Sequence, residues 1–220
     1  VKKNDEIKFL TLSDNVTSIL RNRILTGNLP PGSRIIELEI AKELGLSRGP
    51  VREALRKLAY EGIIDYHSNK GCTVRTLTSK EVEDVYVVKV HLEILSVDLC
   101  NGKFTQKTIE DMGELIREME QASKENNVLR LSELDEQFHS LIILESKNHK
   151  LFELWSSLRS ISLAIISSAY NLKLTNLKNQ GENHKVLFEN IKKGERERIN
   201  HYLKRHYDDS TSRFKLLGEE

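Results

Sequence analysis

LPPGSRIIELEIAKELGLSRGPVREALRKLAYEGIIDYHSNKGCTVRT, residues 29–76, is the stretch on which the fold turns. A short helix over about Glu37–Glu43 is stopped by Gly45. Ser47 stands where an N-cap opens a second helix running to about Tyr60. Two short helices on a tight glycine turn make a helix-turn-helix. Ile63–Tyr66 and Cys72–Thr76 are short β-prone runs around Ser68-Asn69-Lys70-Gly71, the pattern of a hairpin. Upstream, residues 14–26 put Val16, Ile19, Leu20 and Ile24 on one apolar stripe, which predicts a helix. Three helices and a hairpin make a winged helix.

The second helix of the pair has two faces of different chemistry. Val51, Leu55, Leu58 and Ala59 recur at core-facing spacing. Arg48, Arg52 and Arg56 recur every four residues on another face, beginning at the helix N-terminus. Guanidiniums in that row suit a helix in the major groove of DNA, bonding guanine bidentately or bridging phosphates. The N-terminal amides add attraction for a phosphate, and Lys70 and Gly71 at the hairpin tip can press on the adjacent backbone. An arginine row is also the ordinary mark of a solvated face, and Glu53 with Lys57 reads as a surface pair beside it. The order of helix, helix, turn, basic helix and glycine-tipped hairpin favours DNA.

Working outward, 220 residues allow one or two domains. The formal net charge of +1 excludes a basic coat over the whole chain. Its partition is uneven. Residues 1–75 carry 13 Lys/Arg against 9 Asp/Glu, whereas residues 76–220 carry 21 against 24. Three Pro and 11 Gly favour a mainly α fold over a turn-rich one. A polar link at Thr76–Thr78 divides a winged helix-turn-helix domain, residues 1–76, from an all-α domain, residues 79–217. Thr78 and Glu81 form the capping box that opens the latter. Cys72 and Cys100 lack CxxC spacing, VKKNDEIKF lacks the apolar core of a signal peptide, and Ile161–Tyr170 is too short to span a bilayer. The expectation is a cytoplasmic protein with no membrane partner.

Apolar periodicity predicts six helices in the second domain, at 79–100, 106–124, 129–145, 149–170, 173–193 and 196–217, forming a bundle. Within it Asp135 and His139 leave one helix face at i, i+4, and His184 and His206 fall on the last two helices. Bundles build metal sites from such inward groups. Three imidazoles and a carboxylate without a thiolate suit Zn, Ni, Mn, Fe or Co, with Zn and Ni favoured. Any single histidine of the seven is more simply a satisfied core or surface group, and His67, His91, His149 and His201 are assigned as such.

SRGPVREALRKLAYEG, with the sequence around it from Asn15 to Arg75, strongly resembles the winged-helix domain of GntR-family bacterial transcription regulators. The resemblance implies DNA contacts from Arg48, Arg52 and Gly71, with Ser47 at the helix start. Gly49 departs from it, since Thr is usual there. LDEQFHSLIILESKNHKL looks like the Asp-x-x-x-His helix and following Asn of the FadR-like branch, whose ligand domain is called FCD. HKVLFENIKKGERERINHYLKRH supplies the two later histidines, 22 residues apart. The resemblance thus implies a metal site of Asp135, His139, His184 and His206. It also implies a small organic acid as effector. Lys89 stands where an Arg usually helps to hold the effector carboxylate, and its ammonium is a point charge rather than a planar fork.

Together these readings describe a non-enzymatic, ligand-responsive regulator, a repressor in its expected form. A homodimer binds a pseudo-palindromic double-stranded operator, and a metal and a small carboxylate bind in the helical domain. Two alternatives stand beside it. One is a metal-dependent hydrolase using the Asp/His cluster, which lacks an evident general base. The other is a non-catalytic adaptor whose bundle only dimerises.

Overall fold

A computed structural model of the chain describes residues 11–67, 71–171 and 177–215. The chain forms two compact units, Val1–Arg75 and Thr76–Glu220. The fold is mainly helical, with one small sheet among the described residues, in the first unit.

In the first unit, α1 spans Leu12–Leu25 and opens on Thr11, whose hydroxyl accepts from the Asp14 amide while the Asp14 carboxylate accepts from the Thr11 amide. This reciprocal cap satisfies two amides that the helix leaves over. It also moves the helix start two residues upstream of the expected Asp14. Then follow β1 (Arg34–Ile35), α2 (Glu37–Glu43), α3 (Arg48–Tyr60), β2 (Ile64–His67) and β3 (Gly71–Val74). The sheet is antiparallel in the order β1-β3-β2, with Cys72 opposite both Ile35 and Tyr66. The hairpin β2–β3 was expected. The two-residue β1 was not, because a strand that short has no alternation to detect.

One core holds these elements together. Leu20 and Ile24 of α1 meet Ile40 of α2, Val51, Leu55 and Leu58 of α3, and Ile63, Cys72 and Val74 of the wing. Two residues differ from the expected stripes. Ile19 faces outward and is exposed, and Ala54 takes the buried place foreseen for Ala59, which is half-buried. Lys57 does not depend on Glu53, since its ammonium bonds the Asp14 carboxylate at 2.7 Å and the Ser13 hydroxyl at 2.9 Å. That contact ties α3 to α1.

The second unit has seven helices among the described residues: α4 (Ser79–Leu99), α5 (Gln106–Lys124), α6 (Val128–Glu145), α7 (His149–Ser157), α8 (Arg159–Asn171), α9 (Leu177–Lys193) and α10 (Arg196–Lys215). Six were expected, and the added one comes from a break at Leu158. The α7 chain closes there in an i→i−3 turn, the Leu158 amide bonding the Trp155 carbonyl. Neither proline nor glycine marks the break, so periodicity alone runs through it. The other helix ends fall within a residue of expectation, except the expected start at 173 and end at 217, which lie outside the described residues. Asn101, Asn126, Lys147 and Gly194 each adopt positive φ beyond the last turn, the usual left-handed stop. Asn148 then caps α7 by accepting from the Leu151 amide.

The core of this unit runs through α4, α5, α6, α9 and α10, with Val82, Val97, Met112, Leu134, Phe138, Ile142, Leu187 and Leu203 buried. Polar groups interrupt it. Lys89 and Glu93 of α4, Glu136 and His139 of α6, and His184 of α9 are all buried, and α4 packs directly on α6. A buried charge is costly unless partners surround it.

Candidate nucleic-acid surface and metal centre

On the first unit, Arg48, Arg52 and Arg56 are exposed along α3. Two of them are held by one carboxylate. Glu37, the first residue of α2, accepts from Arg48 Nε at 2.7 Å, from Arg52 Nε at 3.0 Å and from Arg52 Nη2 at 2.9 Å. The Arg52 hydrogen bond leads the effects that bring the Glu37 carboxyl down to about 2, Arg48 adding to it against partial burial. Arg48 meets Glu37 through Nε, leaving its two terminal nitrogens for another acceptor. Sequence reading missed Glu37, although an acid at the start of α2 favours that helix and faces α3 across a short turn.

Ser47 has the extended backbone of an N-cap, but its side chain makes no capping bond. Gly49 is exposed, and a Cβ there would meet only Ser47 Oγ, 4.0 Å away. Gly71 opens β3 with φ of +94°, a conformation that favours glycine. Lys70 lies outside the described residues.

In the second unit the four expected metal ligands come together. Asp135 and His139 project from α6, His184 from α9 and His206 from α10, and one ligating atom from each lies within 4.8 Å of all the others. Atoms bound to one ion at about 2.0–2.1 Å lie closer than this, so the four side chains would draw inward to close the set on an ion. His184 Nε2 is 3.0 Å from Asp135 Oδ1, and His139 Nε2 is 3.3 Å from His206 Nε2. Two imidazole nitrogens facing each other cannot both be protonated without repulsion, and an ion between them resolves the conflict. The buried Nδ1 of His206 has no hydrogen-bond partner.

Glu93, which sequence reading passed over, sets the orientation of this cluster. Its carboxylate is fully buried and takes three bonds: from His139 Nδ1 at 2.8 Å, from Trp155 Nε1 at 3.0 Å and from the Tyr207 hydroxyl at 2.6 Å. A proton on His139 Nδ1 leaves Nε2 as the lone-pair atom toward the cluster, the carboxylate–histidine arrangement found behind metal ligands. The only sequence signal was an acid at a core-facing position of α4, in register with Val82, Tyr86, Val90 and Val97.

Electrostatics follow from burial and these contacts. Burial opposes ionisation of Asp135, but His184, with His139 and His206 behind it, outweighs burial and holds the carboxyl low. Burial would neutralise His139, yet Glu93 raises it. His206 is pushed well down, first by burial and then by the two neighbouring imidazoles. A neutral imidazole and an ionised carboxylate are the ligand forms a divalent cation needs.

Lys89 lies beside the cluster. It shares a cavity of about 30 Å³ with Asp135, His139, His206, Tyr86 and Tyr207. Its ammonium is buried 3.2 Å from Glu136 Oε2 and 4.3 Å from the centre of the Trp155 ring. A larger groove of about 160 Å³ reaches His206 from the surface between α9 and α10, with Arg205 and Asp209 on its wall.

Comparison with known proteins matches residues 12–74 to the "Bacterial regulatory proteins, gntR family" model and residues 84–209 to the FCD domain. The Nta operon transcriptional regulator of Aminobacter aminovorans is 36% identical over 132 residues, covering 60% of this chain and 61% of its own. The gluconate operon transcriptional repressor of Bacillus licheniformis is 27% identical over 194 residues, 86% of this chain and 79% of that one. Among solved structures, E. coli McbR/YncC has a TM-score of 0.74 at 21% identity, over 96% of this chain and 100% of that chain. These relatives are regulators, which sets aside the hydrolase alternative, and no helix among the described residues is long and apolar enough to cross a membrane. The protein belongs to the gntR family of bacterial transcription regulators, in the group whose second domain is an FCD domain.

Proposed function

We propose that the protein is a repressor whose homodimer reads a pseudo-palindromic DNA operator and whose helical unit holds a divalent transition metal, Zn or Ni by preference. The observation that carries the DNA reading is the exposed row of Arg48, Arg52 and Arg56 beginning at the N-terminus of α3. Arg48 and Arg52 read base edges or phosphates, Ser47 and Arg56 meet the backbone, and Gly71 with Lys70 brings the wing to the flanking groove. The similarity to the gluconate operon repressor supports repression as the output.

Asp135, His139, His184 and His206 would hold the metal, and Glu93 fixes the ring of His139 behind it. When bound, the ion supplies a cation and open coordination positions in an otherwise buried place. A small organic acid at or beside the ion is the effector, with the groove next to His206 as its approach and Arg205 as a cation on the way. Such an acid changes DNA affinity only in so far as it binds the operator-competent state differently.

Homodimerisation is supported by α4. Val88, Leu95 and Leu99 are exposed on it at i, i+7 and i+11, the spacing of a helix seam that a second copy of the same helix can complete. A two-fold partner presents the same apolar row.

The test is selection of duplexes from randomised DNA by the full-length protein, then titration of the selected duplex at two salt concentrations. The expected motif has two half-sites about 10 base pairs apart, with affinity that falls steeply as salt rises. Failure to enrich any motif sinks the regulator reading for this surface.

A further inference from the structure

We infer that Glu136 fixes the ligand selectivity of the helical unit: its carboxylate occupies Lys89 from within the chain and denies that cation to the carboxylate of a small organic acid. The inference rests on the reading of this unit as a ligand site.

Lys89 is the cation on the wall of the cavity beside the quartet. It is 2% exposed, and Glu136, equally buried at 3%, meets its ammonium at 3.2 Å. The Trp155 ring covers the ammonium from another side. An ion pair so enclosed has no net charge to offer an incoming anion. An acid that took Lys89 would have to expel Glu136 and leave that carboxylate buried beside its own, an arrangement that costs more than it returns. Space points the same way. The cavity of about 30 Å³ has room for roughly two waters, less than a hydroxy acid or a dicarboxylate needs.

Glu136 therefore acts as a resident carboxylate. An acid approaching a metal held by the quartet would come from the side of His206, where the larger groove opens, with the ion supplying the cation in place of Lys89. Acids that need a second anchor at Lys89 are rejected. The position next to Asp135 thus sets selectivity through Lys89, the side chain it bonds, and not through a ligand of the quartet.

The experiment uses the full-length zinc-loaded protein with acetate as the probe. Glu136→Ala deletes a fragment of the size and charge of acetate. Acetate is expected to raise the melting temperature of this variant saturably and to bind it about tenfold or more tightly than the wild type. The gain should vanish in the double variant Lys89→Met/Glu136→Ala. Glu136→Gln keeps the volume and removes the charge, so it tests the same point with formate should the alanine variant fold poorly. Wild-type binding of acetate as tight as that of Glu136→Ala overturns the inference, and so does a gain that persists without Lys89. Zinc measured on the same samples registers failure of the metal site separately, as a stoichiometry below one.

Discussion

Three donors on one carboxylate explain how an acid survives at position 93 with no access to water. Each bond to a charged acceptor contributes roughly 1.5–3 kcal/mol, enough together to offset the cost of burial. A Glu93→Gln change replaces one acceptor oxygen by an amide that can only donate, and sets it against a donor. The expected result is metal affinity lower by about 10–100-fold, with the four ligands untouched, read by competition against a chromogenic chelator. Unchanged affinity would detach Glu93 from the site. The four ligands were legible in the sequence only through family resemblance, because i, i+4 spacing joins Asp135 to His139 and nothing local joins either to His184 or His206. Glu93, Glu136 and Glu37 left at most a faint trace in the sequence. Each is defined by a partner far along the chain or across a turn, and a buried carboxylate looks the same in one dimension as a solvated one.

Elements were easier to read than their partners. The α3 stripe was evident because Val51, Leu55 and Leu58 repeat at helical spacing while the arginines repeat on another face. The α7–α8 break was not, since its cause is a turn beside Trp155, whose indole is fastened to Glu93 in the core. Conversely α4 carries more apolar residues than its own unit can cover, as Val87, Val88, Leu95 and Leu99 are each about half exposed or nearly so. Surplus of that kind on one helix calls for a partner surface. If the proposed dimer forms through α4, Leu95→Glu with Val88→Glu should yield a monomer by sedimentation at micromolar concentration, and lower affinity for a two-half-site duplex far more than for a single half-site. A dimer that survives both charges places the interface elsewhere.

For the molecule as a whole, the near-neutral net charge concealed a basic unit and an acidic one, each with its own core. Leu55→Ala, in the middle of the first core, should destabilise that unit by about 2–5 kcal/mol and abolish DNA binding. Zinc bound per chain should stay as in the wild type. Loss of zinc by the same variant would mean that the two cores do not stand independently. The division between Arg75 and Thr76 is where the sequence composition also changes, because a helix-turn-helix needs frequent turns and a bundle does not. One consequence belongs to the centre built from α6, α9 and α10. An ion held at that point would join residue 135 to residue 206 as a crosslink does, closing the long stretch of chain between them, yet it would need no oxidant and could be withdrawn. If the proposed ion is bound there, a cell that runs short of it would hold chains whose last helices open more often to proteases, so that scarcity would shorten the life of the regulator.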